Sequence, residues 1–434
     1  MYWAISFTLL FTLFFNFKLK KRFKGYRFLE IGFYLNFFLS LYIILPTVVF
    51  ITSSFTVGDP ISYVFNGFAF SNESLFINHL IRMLVFQLVF IISYLKIRGA
   101  KIIRYNTLDF KFKKAFVITF LFFLIVCYIL LFGLSSDFDG YIESYQRYDH
   151  LSRPLRLFVS LMVRFKFAFS VLFLIHFFIY FKKKKIITVT VFLCLLVAEG
   201  YYSSGARISI LFLLLQGFGL YVIINGLPKM RNILLGSLTC LVIFTIIEKT
   251  RLNSTNDKVT NELAALIPGE FGAVFFTSYH LYQKREDNQL PSKSYKMFFF
   301  DFISPLMPNA DIDEIDPIFW YQKNYFPDTE VPPFTLGPIA NTAIWEGEIG
   351  LILRAWLCAL LFAKFSNYIT RKKISPFNLF VYLSIFSTSV MVVKYSIFYH
   401  ITPFVKNLIL PFTLYLILRY IFSFFSKKTL PFVK

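Results

Sequence analysis

The sequence predicts an all-α polytopic membrane protein with about eleven transmembrane helices and one large extracytoplasmic loop. Three observations predict this fold class. The chain of 434 residues is 57% hydrophobic and only 16% charged, which is far more apolar than a soluble domain. Uncharged apolar runs of roughly twenty residues recur, and a helix needs about that length to cross a bilayer. The runs are continuous rather than alternating, which favours helices over the strands of a membrane barrel.

The apolar runs define the candidate spans in chain order. The first run has no basic segment before it and no small-residue cleavage site, so we interpret it as a retained span and not as a signal peptide. We expect the spans at roughly 2–17, 28–51, 76–97, 115–135, 158–181, 186–203, 206–225, 233–249, 339–363, 377–397 and 401–425.

The net charge of +21 is distributed in a way that excludes nucleic acid as a partner. The basic residues stand in short clusters between the apolar runs. Placing every cluster in the cytoplasm satisfies the positive-inside rule, and it predicts an N-terminus outside and a C-terminus in the cytoplasm. Of the 24 acidic residues, only Asp109 then falls in a cytoplasmic loop, with Glu30 near the inner end of the second span. The clusters are Lys18–Arg22, Lys96–Lys114, Lys182–Lys185, Lys229 with Arg231, Arg371–Lys373 and Lys427–Lys428.

One long polar interval, 248–338, interrupts the apolar runs between the eighth and ninth spans. It holds many of the prolines and most of the acidic residues, so we interpret it as a large extracytoplasmic loop within a single integral membrane domain, 1–434. The segment from Glu262 to Tyr282 is apolar enough for an amphipathic helix in this loop. Whether it covers a site is left open by the sequence.

Ionisable side chains placed within a membrane indicate function by default, because their burial is costly. In this chain they concentrate in the predicted outer halves of the spans, and the surplus is cationic. The guanidinium group binds phosphate oxygens in pairs, so the surplus predicts an anionic ligand such as the diphosphate of a polyprenyl-linked sugar. The alternative is that single residues extend to the outer interface. The residues are His79, Arg82, Arg164, Lys166, Glu199, Arg207, Arg354, Lys394, His400 and Lys406.

Two local patterns bear on this candidate site. Glu199 and Arg207 flank a tight turn between two spans, where they form either a local ion pair or a substrate contact. Gly347, Gly350 and Arg354 share one helix face, where the two glycines permit close approach of a helix or a ligand.

Acid–base chemistry would require a proton acceptor near the same surface. The principal candidates are His400 and Glu346, with His280 and Glu348 as further candidates. A solvated histidine and a helix-capping carboxylate are the structural alternatives. Asp137-Phe-Asp139 is a weak metal signal, and the four cysteines have no metal-site spacing, so we expect neither a metal nor a cofactor.

The layout and three short stretches resemble the Wzy-type O-antigen and capsule repeat-unit polymerases. Ser203-Ser-Gly-Ala-Arg207 is similar to a Ser/Gly-x-Arg turn of these proteins. Ser294-Tyr295, followed by Pro305 and Pro308, resembles a pattern of their large loop. Asn341-Thr-Ala-Ile-Trp-Glu-Gly-Glu-Ile-Gly350 looks like the stretch that comes after that loop.

The resemblance implies a metal-independent glycosyltransferase in a bacterial inner membrane. It would transfer a growing glycan from one undecaprenyl diphosphate to a new lipid-linked repeat unit. Arg207, Arg251 and Arg354 would hold the diphosphate, and His400 or Glu346 would serve the acceptor hydroxyl. The implied partners are the lipid-linked donor and acceptor, membrane lipid and a chain-length regulator protein.

Two other functions remain open. An O-antigen ligase-like glycosyltransferase would share the chemistry and differ in its acceptor. A flippase for lipid-linked oligosaccharide would need polar groups along a path through the whole bilayer, whereas the sequence predicts their concentration in the outer half. A non-catalytic scaffold would not require buried arginine.

Overall fold

The structure is a computed structural model of the chain. The residues that it describes are 1–52, 73–99, 114–133, 152–181, 185–202, 207–229, 273–291, 317–325, 337–371, 376–389 and 391–394, with 413, 416, 417 and 420. Within these ranges the chain is helical and contains no strand, which confirms the all-α prediction for this part.

Thirteen α-helices are described, and most coincide with the predicted spans. A 3₁₀ turn, Lys24–Leu29, comes after the first helix, and a π-helical segment, Thr342–Glu346, precedes the eleventh. The helices are α1 (Tyr2–Phe23), α2 (Ile31–Thr52), α3 (Glu73–Ile97), α4 (Lys114–Gly133), α5 (Arg153–Tyr180), α6 (Lys185–Tyr202), α7 (Arg207–Asn225), α8 (Ala273–Glu286), α9 (Pro317–Tyr325), α10 (Pro338–Asn341), α11 (Gly347–Arg371), α12 (Pro376–Thr388) and α13 (Met391–Lys394).

Among the residues that the structure describes, five helical stretches are long and apolar enough to cross a membrane. Shorter apolar helices occur at Phe116–Leu131, Ile186–Glu199, Ile210–Asn225 and Asn378–Thr388. The expected span 233–249 lies outside the described residues, as does nearly all of 401–425, so the count of eleven spans stays a prediction. The five stretches are Tyr2–Phe23, Ile31–Val48, Ser74–Ile97, Leu161–Tyr180 and Thr342–Thr370.

The chain divides into two compact units, each described by itself. Unit 1 comprises Met1–Arg104, Asn256–Lys373 and Thr388–Thr402. Unit 2 comprises Tyr105–Thr255, Ile374–Ser387 and Pro403–Lys434. The sequence by itself predicts one membrane domain with the loop 248–338. Of that loop, the structure describes α8, the residues to 291, α9 and the last two residues.

Within unit 1, α1, α3 and α11 run in the same direction. Arg82 in the first half of α3 contacts Glu348 at the start of α11, and Ile97 at the end of α3 contacts Asn367 near the end of α11. Arg22 at the end of α1 donates to the backbone oxygen of Leu95 over 2.6 Å. The basic ends of these helices therefore lie together, which is the relative arrangement that alternating spans require.

A buried ion pair joins the basic ends of α2 and α3. Arg98 donates through Nε and Nη2 to Glu30 over 2.8 and 2.7 Å, and the Tyr94 hydroxyl donates to the same carboxylate over 2.9 Å. Both charged side chains are almost fully buried. Arg98 turns into the helix bundle because Glu30 neutralises its charge.

A second polar layer lies about halfway along the same helices. The Gln87 amide on α3 donates over 3.0 Å to both Asn36 Oδ1 and Ser40 Oγ on α2. Ser40 Oγ also lies 2.6 Å from Thr12 Oγ1 on α1. The prediction that polar groups concentrate in the outer half is therefore wrong for the described part of unit 1.

The Glu30–Arg98 pair should contribute strongly to the stability of unit 1. We expect Arg98→Met to lower the free energy of unfolding by about 3–5 kcal/mol, because it leaves the Glu30 carboxylate buried without its counter-charge. The double variant Glu30→Met/Arg98→Met should recover much of that loss. Thermal unfolding of the purified protein in detergent measures both, with Lys21→Met at the exposed end of α1 as the control. Equal losses in the single and double variants would contradict this account.

Candidate functional site

A π-helical segment at the start of α11 shapes the candidate site in unit 1. Pro338 begins the short helix α10, the backbone widens over Thr342–Glu346, and Gly347 comes next with φ of 67°. A residue with a side chain rarely adopts that backbone angle, so glycine is required at this junction. Single π-helical turns are frequently found at functional sites.

The π segment orients the Glu346 side chain towards Arg354, which lies further along α11. Arg354 Nε donates to Glu346 Oε2 over 2.7 Å, and Nη2 donates to Oε1, so the contact is bidentate. Both side chains are fully buried. Gly350 makes room for this arrangement, since a Cβ atom there would lie 2.1 Å from the Cβ of Glu346. The two glycines therefore make room for an internal ion pair, and not for an approaching helix.

This pairing changes the roles that the sequence suggested for its two members. The sequence suggested that Glu346 is a base and that Arg354 binds the diphosphate. In the structure the two opposite charges pair with each other in a position shielded from solvent. Removal of one would leave the other buried without a counter-charge. The pair is suited to holding the π segment in place, and not to direct contact with a ligand.

Arg82 on α3 lies at the edge of the same site and remains partly exposed. Its Nε donates to Glu348 Oε1 over 2.7 Å, and its Nη2 lies 3.8 Å from Glu286. Both carboxylates are about half exposed. The guanidinium carbon lies 4.0 Å from the centre of the Tyr282 ring, which is cation–π geometry. Arg82 Nη1 is buried and has no hydrogen-bond partner among the described residues.

Loop helix α8 is fastened to the π segment by two polar residues. Arg285 donates to the backbone oxygen of Ala343 over 2.9 Å and to that of Ile344. The Tyr282 hydroxyl lies 2.6 Å from Thr342 Oγ1. Burial raises the pKa of Tyr282, so its hydroxyl stays protonated and can take part in this bond. We use the name "π-segment cluster" for Arg82, Tyr282, Arg285, Glu286, Thr342, Glu346, Glu348 and Arg354.

Helix α9 packs on α8 through a second buried contact. His280 Nδ1 lies 2.8 Å from the Tyr321 hydroxyl, and the His280 ring lies 5.3 Å from that of Tyr325. Burial, with a smaller contribution from the Lys284 charge, lowers the pKa of His280 to about 4. The imidazole is therefore neutral at physiological pH and serves as a packing and hydrogen-bonding group.

In unit 2, Glu199 has different partners from the one that the sequence suggested. Lys166 Nζ donates to Glu199 Oε1 over 2.7 Å, and the Tyr128 hydroxyl donates to Oε2 over 2.7 Å. Arg164 lies two residues earlier on α5 and is half-buried. The Lys166–Glu199 contact is thus a third buried ion pair, and Glu199 joins α6 to α4 and α5.

Several of the remaining predicted site residues are not described to the level of their contacts. Arg207 and Lys394 belong to α7 and α13, but their side chains lie outside the description. Arg251 and His400 lie outside the described residues altogether, as do Asp137 and Asp139. The described residues contain no group of three or more His, Cys, Asp or Glu side chains that could hold a metal ion.

Sequence reasoning missed Arg285 and Tyr282, which dock the loop helix. The sequence does carry a signal for them, because a Tyr-x-x-Arg spacing places both side chains on one face near the end of an apolar helix. The partners of these residues, however, are a hydroxyl and backbone oxygens of a π segment, which no local pattern indicates.

The class that the fold defines is a helical protein whose described part contains five helices long and apolar enough to cross a membrane. In comparisons with family models, curated proteins and solved structures, nothing matches this chain. A functional assignment therefore depends on the physical character of the site itself.

Gly350 should show opposite effects in two backgrounds. Gly350→Ala in the wild-type chain should destabilise the protein, because the added methyl group collides with the Glu346 side chain. In the background Glu346→Gly/Arg354→Met, which also removes the Cβ atom of residue 346, the same change should stabilise it by up to about 1 kcal/mol, because alanine favours helix over glycine. Thermal unfolding in detergent measures both effects. Destabilisation of equal size in the two backgrounds would contradict the proposed contact.

Docking of α9 on α8 should weaken at acid pH. The pKa of His280 is about 4 in the folded chain, below its ordinary 6.5. His280 therefore takes up a proton more readily when α9 is detached than when α9 is docked. Stability of docking is therefore present above pH 6.5 and is lost as the pH falls towards 4. Fluorescence of a variant with Trp320 as its sole tryptophan reports the change. The same variant carrying His280→Gln should give a flatter profile, and an unchanged profile would contradict the assignment.

Proposed function

We propose that this protein polymerises undecaprenyl-diphosphate-linked oligosaccharide repeat units into O-antigen or capsular polysaccharide at the outer face of a bacterial inner membrane. The observation that carries the proposal is the π-segment cluster, in which a partly exposed arginine stands between two exposed carboxylates beneath a loop helix. The cluster combines a cationic site for a diphosphate with candidate bases for a hydroxyl group.

The position of the cluster supports an outward-facing site. Glu348 lies at the start of α11 and Arg82 in the first half of α3, whereas Arg22 and Arg98 lie at the opposite ends of their helices. Under the positive-inside rule the basic ends face the cytoplasm. The cluster then faces the compartment in which lipid-linked repeat units are joined.

The chemistry of Arg82 supports binding of the diphosphate. Its guanidinium has one buried Nη1 without a hydrogen-bond partner among the described residues, and its other contacts are carboxylates that are about half exposed. Phosphate oxygens can replace carboxylate oxygens at such a group with the same paired geometry. We therefore assign the diphosphate contact to Arg82, and we assign to Arg354 the positioning of Glu346 and the π segment.

The transfer step can be written with these groups. The acceptor hydroxyl oxygen attacks the anomeric carbon of the donor glycan, and the bond from that carbon to the diphosphate oxygen breaks. The hydroxyl proton passes to a carboxylate, for which exposed Glu348 is better placed than buried Glu346. Arg82 stabilises the negative charge on the departing undecaprenyl diphosphate. The partners are thus the two lipid-linked glycans and membrane lipid, with a chain-length regulator as a further protein partner.

A specific observation favours a flippase as the second candidate. Polar groups occur along much of α3, with Arg82 partly exposed and Gln87 and Arg98 buried. A carrier of lipid-linked glycans needs such groups across the bilayer. The Gln87 and Arg98 groups bond closely to their neighbours, however, which is also the behaviour of polar contacts that join membrane helices. A ligase-like transferase would use the π-segment cluster in the same way as a polymerase.

A deletion strain tests the proposal directly. We expect the strain to carry single repeat units on its surface glycan, and we expect wild-type protein to restore long chains. Arg82→Ala and Glu348→Gln should each reduce long chains at least about tenfold, since each removes a group that acts in the transition state. Arg82→Lys should restore them only in part, because lysine keeps the charge and loses the paired geometry.

The controls separate the competing functions. Lys21→Ala changes an exposed cation at the opposite end of α1 and should restore full-length glycan. Every variant is compared at matched protein levels in the membrane. Loss of all surface glycan, with repeat units held on the cytoplasmic side, would support the flippase. Normal long chains in the deletion strain would exclude both functions.

A further inference from the structure

Helix α9 has a buried side and an exposed side of different character. On the buried side, Tyr321 is fully buried against α8, and its hydroxyl contacts His280. The exposed side carries Trp320, Lys323 and Asn324, which are spaced i, i+3 and i+4 and so share one helix face. Trp320 is half-buried, and the other two side chains are exposed.

We propose that the face formed by Trp320, Lys323 and Asn324 is a carbohydrate subsite that holds a sugar ring of the glycan substrate. This inference rests on the proposed function, because it assigns a part of the same substrate to a neighbouring surface. The flat C–H face of a sugar ring packs against an indole. The Lys323 ammonium donates to sugar hydroxyls, and the Asn324 amide can accept from them or donate to them.

The surrounding contacts hold the subsite in a fixed geometry. Asn324 Nδ2 donates to the backbone oxygen of Trp320 over 2.7 Å, which orients the amide beside the indole. The Trp320 ring contacts Tyr325 at 6.1 Å and Trp345 at 5.5 Å in edge-to-face arrangements. A preordered aromatic surface loses little conformational entropy when it binds a ligand.

The subsite is continuous with the π-segment cluster. Trp345 is itself a residue of the π segment, adjacent in sequence to Glu346, and it contacts Trp320. Helix α8 provides a second connection, since its Arg285 binds the π segment and its His280 binds α9. The diphosphate and the sugars of a lipid-linked glycan are covalently joined. A ligand with its phosphates at Arg82 therefore has its sugars in the region that α9 borders.

The competing explanation is that α9 anchors the loop at the membrane surface, where tryptophan and tyrosine are enriched. In that case Trp320 would contact lipid head groups. Its face also contains an exposed ammonium and an exposed amide, which suits a ligand with many hydroxyl groups. The two explanations differ in what quenches Trp320 and in what its replacement changes.

The binding experiment uses the full chain in lipid nanodiscs. The probe is the free oligosaccharide that mild acid releases from the lipid-linked repeat units of the source cells, so it has neither phosphate nor lipid. Saturation-transfer NMR titration gives its affinity for each variant. We expect Trp320→Ala to weaken binding about tenfold or more and Trp320→Phe to weaken it less, because phenylalanine keeps an aromatic face.

Matched variants make the result specific. Trp356→Ala replaces a tryptophan of α11 that is 41% exposed, and it should leave the affinity unchanged. Lys21→Ala should also leave it unchanged, because this exposed cation lies at the basic end of α1. The two readouts separate the subsite from the diphosphate site: surface-glycan length tests the polymerase, and binding of the phosphate-free probe tests the subsite.

Three results would overturn the inference. They are absence of binding to the wild-type protein at millimolar probe, equal affinity in Trp320→Ala and wild type, and strong quenching of a sole Trp320 by brominated lipids. The third result would assign α9 to the membrane surface. A polymerase phenotype in the deletion strain together with any of the three would leave the proposed function standing without this subsite.

Discussion

The buried ion pair between Glu346 and Arg354 is the interaction on which the arrangement of the candidate site depends. It requires the π segment to direct the carboxylate along α11, the positive φ at Gly347 to resume the helix, and the missing side chain at Gly350 to leave space. Because both charges are shielded from water, neither can be lost without a large cost. The pair thereby fixes the backbone oxygens to which Arg285 donates, and these hold the loop helix against the membrane helices.

The described part of unit 1 contains three layers of polar contacts along α3, and their chemistry differs with depth. The layer near the helix starts combines arginine, carboxylates and tyrosine with partial exposure. The middle layer consists of neutral amides and hydroxyls. The layer at the basic ends is again charged and nearly closed to solvent. Charged groups are partly exposed in the first layer, whereas at the basic ends they are paired and closed to solvent. An anionic ligand requires exposed charge of the kind found in the first layer.

The sequence anticipated a large part of the candidate site. It placed Arg82 and Arg354 in the outer halves of their spans and Glu346 and Glu348 near the start of one span. In unit 1 these residues form the pairs Arg82–Glu348 and Glu346–Arg354. The roles within that set were harder to assign, because a role depends on which carboxylate faces which guanidinium. Glu199 illustrates the same limit, since its partners Lys166 and Tyr128 come from two other helices.

The sequence by itself determined the helical class, the bounds of most helices and the gathering of basic residues at common helix ends. These features arise from apolar length and from the cost of carrying charge through lipid, which act on each segment separately. Only the tertiary structure decided that Arg98 lies buried with Glu30, that Arg354 is paired while Arg82 stays partly exposed, and that α8 and α9 border the π segment. These outcomes depend on contacts between helices that are far apart in the chain. The partner of a buried charge is set by its position in the folded structure, which no local sequence pattern indicates.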